Sequence, residues 1–198
     1  MTQVSTAVVE YPSGPFPQNL SWDEFMALPY ELRNASLVDG EVIVNPPNAQ
    51  HELVVGNVQL ALKAWTRAGH NRGQVTTQQP VRISDTRGYL PDVSWYPHES
   101  CSWPDGDLKL TGPPAIVIEI LSPSTRAFDL IRKRDDYARI GITEVWLIEP
   151  RFNHCSVIVC HRPEPAGPYV DVELRCGEHL TSPLLEGFDL LVEQLVEP

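Results

Sequence analysis

The sequence predicts an α/β fold with a mixed central β-sheet flanked by helices, and three observations carry that expectation. Two continuous apolar runs, AIVIEIL (115–121) and EVWLIEP (144–150), have the composition of strands buried on both faces. Between them RAFDLIRKRDDYARI reads as a helix, opened by Ser122-Pro123-Ser124-Thr125 and ended by Gly141. From His51 to Ala68, residues Leu53, Val54, Val58, Leu62 and Trp65 recur at helical spacing, with Gly69 where a C-terminal cap belongs.

The other elements follow in order. Residues 1–20, with Pro12, Pro15 and Pro17 and no periodic apolar pattern, read as a loose arm before a single domain over 21–198. Ser21 and Glu24 match a capping box, so a short helix is expected to about Leu28. Asp39-Gly40 between the alternating runs of SLVDGEVIV predicts a hairpin, which Asn45-Pro46-Pro47-Asn48 ends. QVTTQQPVRI (74–83) and YLPDVSWY (89–96) read as two strands joined by a turn over 84–88. Residues 97–114 form a proline- and glycine-bearing loop. Strands around 154–160 and 169–175 and a short C-terminal element complete the chain.

A chain of 198 residues is long enough for one substantial core and too short for two full domains. No apolar run approaches the roughly 18–20 residues that span a bilayer. The N-terminus lacks a basic region followed by an apolar one, so a cytoplasmic protein is expected. The net charge of −11 argues against a general nucleic-acid coating protein, although a local basic groove is compatible with it.

Cys155, Cys160 and Cys176, with His154, His161 and His179, invite a zinc reading. Within a strand, however, Cys155 and Cys160 point to opposite faces, which disfavours a shared ion. With Cys101, they are expected to be reduced, structural thiols.

One residue in AIVIEIL stands out. Glu119 lies in mid-strand between Ile118 and Ile120, where an ionised carboxylate is costly unless it is paired or bound to a cation. The bland alternative is a glutamate at the open end of the strand, neutralised by an arginine or lysine. Asp92, entering the preceding strand, would lie near Glu119 if the two strands pair. Two neighbouring carboxylates repel unless a divalent ion lies between them. Mg²⁺ takes oxygen ligands while keeping several waters and can hold a phosphate as well. On the following helix Asp129, Lys133 and Tyr137 share one face. Lys133 could therefore reach the carboxylates, and the competing reading is a surface stripe with an Asp129–Lys133 ion pair. Arg132, Lys133, Arg134 and Arg139 crowd the same helix, as a basic patch or as a solvated face.

PDVSWY followed by IVIEILSPSTRAFDLIRKRDDYARIGITEVWLIEP resembles the Uma family, restriction-endonuclease-like proteins of the PD-(D/E)xK nuclease superfamily. The family pattern is matched almost continuously from Pro91 to Pro150. Weaker similarity covers 39–41, Pro46-Pro47 and His51. The resemblance implies a restriction-endonuclease-like core, with Asp92 and Glu119 as ligands of Mg²⁺ (or Mn²⁺), and DNA as the partner. Many nucleases of the superfamily cut as dimers, so a homodimer is an expectation too. The superfamily lysine would stand two residues after Glu119, where this chain has Leu121, making Lys133 the candidate for a relocated lysine. Ser36 stands where relatives commonly carry a glutamate, so either Glu31 or Glu41 substitutes or metal binding is weaker. His51 resembles the family's helix-start histidine and is expected to touch phosphate or a site carboxylate. The expected catalytic set is Asp92, Glu119, Lys133 and His51. The competing functions are a catalytically impaired binding or interaction module and a zinc-binding regulatory protein.

Overall fold

Alternation along the two apolar runs divides the core. The computed structural model describes residues 17–28, 35–44, 48–122, 128–151, 154–165 and 167–197, without the side chains of 128–130. Strand β9 (Ile116–Ile120) is buried throughout. Its Ile116, Ile118 and Ile120 face one cluster with Trp146 and Ile148, while Val117 faces a second with Val145 and Leu147. Successive strand side chains point to opposite faces, so a strand with cover on both sides must be apolar on both.

β9 pairs in parallel with β10 (Glu144–Glu149) and antiparallel with β6 (Val93–Tyr96). β10 continues antiparallel to β11 (Ser156–His161), which pairs antiparallel with β12 (Val170–Arg175). With β3 (Gln74–Thr76) beside β6, the sheet order is β12-β11-β10-β9-β6-β3. This is the mixed sheet that the sequence predicts. Helix α2 (Ala49–Arg67), capped by Asn48 on the His51 amide, buries Val54, Val58 and Leu62 against one face. Helix α3 (Arg134–Arg139) buries Tyr137 against the other. It continues a π-helical turn, Phe128–Lys133.

A second sheet was not foreseen. β1 (Ala35–Val38), β2 (Glu41–Val44), β4 (Val81–Ser84) and β5 (Arg87–Tyr89) form an antiparallel sheet in the order β2-β1-β5-β4. The two long strands expected over 74–83 and 89–96 are each divided between the sheets. Pro80 and Pro91 supply no backbone N–H and interrupt the ladders. The crossing is tied by the Gln78 amide, which donates to the Pro91 carbonyl at 2.9 Å. Asp39 and Gly40 both have positive φ (53° and 81°), as a tight hairpin with the matching twist requires. Gly88 leaves room for the ring of Trp22, so helix α1 (Trp22–Met26), with its Ser21–Glu24 capping box, docks on this sheet.

Two expectations are corrected. Cys155 and Cys176 form a disulfide with their Cα atoms 5.7 Å apart, because adjacent strand ends bring the two together. Only Cys101 and Cys160 remain as free thiols, and the disulfide takes two sulfurs out of the zinc reading. The arm is not loose to its end: Leu20 is buried and its amide donates to the Gly40 carbonyl at 3.0 Å. Residues 1–16 lie outside the described residues. Among the described residues, no helix is long and apolar enough to cross a membrane.

Candidate active site

Glu119 faces α3. Its Oε2 accepts from Lys133 Nζ at 2.9 Å and its Oε1 from the Tyr137 hydroxyl at 2.5 Å. Both carboxylate and ammonium are largely buried. The i, i+4 spacing of Lys133 and Tyr137 puts both donors over one strand residue. The side chain of Asp129, the third member of that stripe, lies outside the described residues. The buried ammonium compensates the charge that a mid-strand carboxylate would otherwise carry unpaired. Lys133 Nζ also lies 5.6 Å from the centroid of the Tyr89 ring.

Asp92 lies just before β6. The register pairs Val93 with Ile118, so its continuation sets Asp92 opposite Glu119. Asp92 Oδ2 accepts from the Ile120 amide at 2.8 Å, and His51 Nε2 lies 3.2 Å from the same oxygen. Oδ1 has no hydrogen bond among the described residues. His51 is in the first turn of α2, and its Nδ1 is 3.5 Å from Glu52. Burial disfavours the imidazolium, yet the hydrogen bond to Asp92 and the charges of Asp92 and Glu52 outweigh it and raise the His51 pKa above its ordinary value. His51 and Asp92 line a cleft of about 330 Å³ with Glu52, Gln59, Thr77 and Gln78. Gln78 holds a left-handed backbone (φ 50°), uncommon for a residue with a side chain.

The structure thus joins the four expected residues as two pairs, Glu119 with Lys133 and Asp92 with His51, on paired strands. Both carboxylates are of the hard-oxygen type that Mg²⁺ accepts, and Asp92 Oδ1 has no hydrogen bond among the described residues, so the donor type fits a divalent cation. At Glu119 the cation would share oxygens that Lys133 and Tyr137 already hold. Among the described residues, no group of three or more His, Cys, Asp or Glu side chains is gathered to hold a metal. Of the substitutes considered for the missing glutamate, Glu31 lies outside the described residues and Glu41 is exposed at the start of β2. Ser36 is half-buried on β1, and Leu121 is a core residue packed with Tyr137 and Leu147.

Each cation of the crowded basic helix has a carboxylate partner, although Arg132 and Arg139 remain exposed to solvent. Arg132 pairs with Asp39, Lys133 with Glu119, Arg134 with Asp171 and Arg139 with Asp136. Sequence reasoning missed Tyr89, Arg87 and Asp136 behind Lys133, and Glu52 and Gln78 in the cleft. Nothing local in the sequence marks the first three, and the only signal for Glu52 is its place beside His51.

The family description "Uma2: Putative restriction endonuclease" matches residues 22–193. The chain belongs to the Uma2 family. Solved structures agree on the fold. One, "a putative nuclease belonging to DUF820" from Anabaena variabilis ATCC 29413, superposes with a TM-score of 0.71 at 18% identity, covering 89% of this chain and 97% of that one. At that identity the likeness establishes the nuclease fold alone. A search of curated proteins finds no match. The Uma2 match spans both sheets and every expected site residue.

Proposed function

We propose that this protein is a divalent-metal-dependent endonuclease that hydrolyses DNA phosphodiester bonds at the cleft beside Asp92. The observation that carries this reading is the register of β6 on β9, which sets Asp92 opposite Glu119, with Lys133 on that glutamate. Asp92 and Glu119 would hold Mg²⁺ or Mn²⁺, which when bound activates water and polarises the phosphate.

The chain's own residues prepare that chemistry. The Ile120 amide and His51 hold Asp92 by Oδ2 and leave Oδ1 for a ligand. The Lys133 ammonium supplies a fixed positive charge where negative charge develops on the phosphate, and it needs no reorganisation to do so. Asp92 and Glu52 favour the charged form of His51, and in that form His51 lowers the local cost of bringing an anion to an acidic protein. Purified protein should nick supercoiled plasmid with Mg²⁺ or Mn²⁺, stop in excess chelator, and lose activity in Asp92→Ala. Nicking that persists in the double Asp92→Ala/Glu119→Ala variant would refute the assignment. A homodimer, in keeping with the superfamily, is tested by the mass of the protein in solution.

A second reading, a catalytically impaired binding module on the nuclease fold, is favoured by Leu121 in the core, by Ser36, and by the lack of a three-donor cluster among the described residues. Calorimetry separates the two. Heat of divalent-ion binding that disappears in Asp92→Ala supports the enzyme, and no binding at millimolar ion supports the module.

A further inference from the structure

Behind Lys133 is a second buried polar network. Asp136, one turn further along α3, is fully buried. Its Oδ1 accepts from Arg87 Nη1 at 3.2 Å and lies 2.8 Å from Arg139 Nη2. Its Oδ2 lies 3.3 Å from the same Arg87 nitrogen and accepts the Tyr89 hydroxyl. Arg87 also donates to Asp39, which accepts from Arg132 at 2.7 Å. The Tyr89 ring, thus held by its hydroxyl, lies under Lys133 Nζ and edge-on to the Tyr137 ring at 5.6 Å. Tyr137 and Lys133 both donate to Glu119.

We propose that Asp136 is a positioning residue that acts through Tyr89 to hold the Lys133 ammonium on Glu119. Its catalytic consequence rests on the nuclease reading above; its geometry does not. A buried carboxylate persists only where donors surround it, and an apolar residue would pack this helix at lower cost. The charges instead alternate: the end of the π-helical turn presents Lys133 to Glu119 of one sheet, and α3 presents Asp136 to Arg87 of the other. A shift of the helix by one turn would bring Asp136 towards Glu119, and two like charges in a buried site repel. The two pairs therefore set the helix in one place across both sheets. The need is local, because Lys133 ends a π-helical turn, a rare geometry that depends on its surroundings. Tyr89 transmits the constraint as a rigid ring with one fixed end.

Lysine acylation tests this without assuming any activity. The chain has three lysines, so Lys63 and Lys109 serve as internal references for Lys133, read by peptide mass spectrometry. In folded Tyr89→Phe, which keeps the ring and frees its end, acylation of Lys133 should rise about fivefold relative to the references, the ratio expected for one net hydrogen bond. Asp136→Asn should do the same, and the double variant should add nothing, because the two residues act in series. Lys133 labelling that stays at the wild-type ratio in folded Tyr89→Phe overturns the proposal, as do additive effects in the double variant. If Asp136→Asn does not fold, Tyr89→Phe decides alone. In plasmid nicking, Tyr89→Phe should lower kcat with KM unchanged. An unchanged kcat in an active background overturns the catalytic consequence. Wild-type protein without nicking activity refutes the nuclease reading and leaves the labelling result to decide the positioning.

Discussion

At the candidate site, the packed interior beneath α3 and the cleft beside α2 treat their carboxylates in opposite ways. On the α3 face Glu119 and Asp136 are buried, and cations and tyrosine hydroxyls carried by neighbouring elements take up their oxygens. Beside the first turn of α2 Asp92 stands at the edge of a cleft, its Oδ2 held by the Ile120 amide and His51 and its Oδ1 without a hydrogen bond among the described residues. A charge enclosed by its partners is part of the architecture, and removing a partner leaves an uncompensated ion in low dielectric. A charge at a cleft edge can exchange a water or a ligand at little structural cost. The difference teaches that two acidic residues that the sequence presents as equals carry unequal structural loads, Glu119 being part of the packing as well as of the candidate site.

The largest expected effect tests the enclosed side. Glu119→Ala should cost about 3–5 kcal/mol, because Lys133 is left buried without its carboxylate. Denaturant unfolding measures this, and a cost below about 1 kcal/mol would erase the contrast. Leu62→Ala, in the apolar seam of α2, should cost about 2–5 kcal/mol by leaving a cavity, with metal binding untouched. A loss of metal binding in that variant would mean that the apolar seam of α2 is coupled to the cleft lined by the first turns of the same helix. Asp92→Asn should cost only about 1 kcal/mol, since the amide oxygen can still accept from Ile120, while plasmid nicking falls at least tenfold. Loss of fold and of activity together would place Asp92 with the enclosed residues.

The last effect is absent at neutral pH and concerns Cys160, which is buried in the cluster beneath α3. Burial, with Asp171 nearby, pushes its thiol pKa up to about 12. The unfolded chain releases this proton near roughly pH 8.5 while the native state keeps it. Its contribution to stability is therefore complete below that pH and is lost as pH rises towards 12. Cys160→Ala should flatten the alkaline decline in unfolding free energy, and an unchanged slope would assign that decline to the buried tyrosines.

The paired residues of the site were legible to different depths. Glu119 announces itself, because a carboxylate in an unbroken apolar run has to be paired or bound. Lys133 and Tyr137 follow from helical spacing, which is a local rule. The enclosing partners Arg87, Tyr89 and Asp136 carry no such sign: Arg87 and Asp136 are 49 residues apart and meet only because α3 lies over both sheets. The strands at 74–83 and 89–96 were misread for a related reason. Alternation continues through Pro80 and Pro91, but the missing amides let the chain change sheets there. The thiols were misassigned because strand alternation relates Cys155 to Cys160, whereas the bond is to Cys176 on the neighbouring strand.

The sequence by itself determined the local elements: the Asp39-Gly40 hairpin, the α2 stripe, the two buried strands, and a glutamate where none should stand unpaired. Each depends on contacts within a few residues, or on the solvation of a single side chain. Tertiary structure alone decided which groups close around the carboxylates. The ionic partners, the disulfide and the division into two sheets all come from segments far apart in the chain. Their pairing depends on how strands return, and periodicity does not record that.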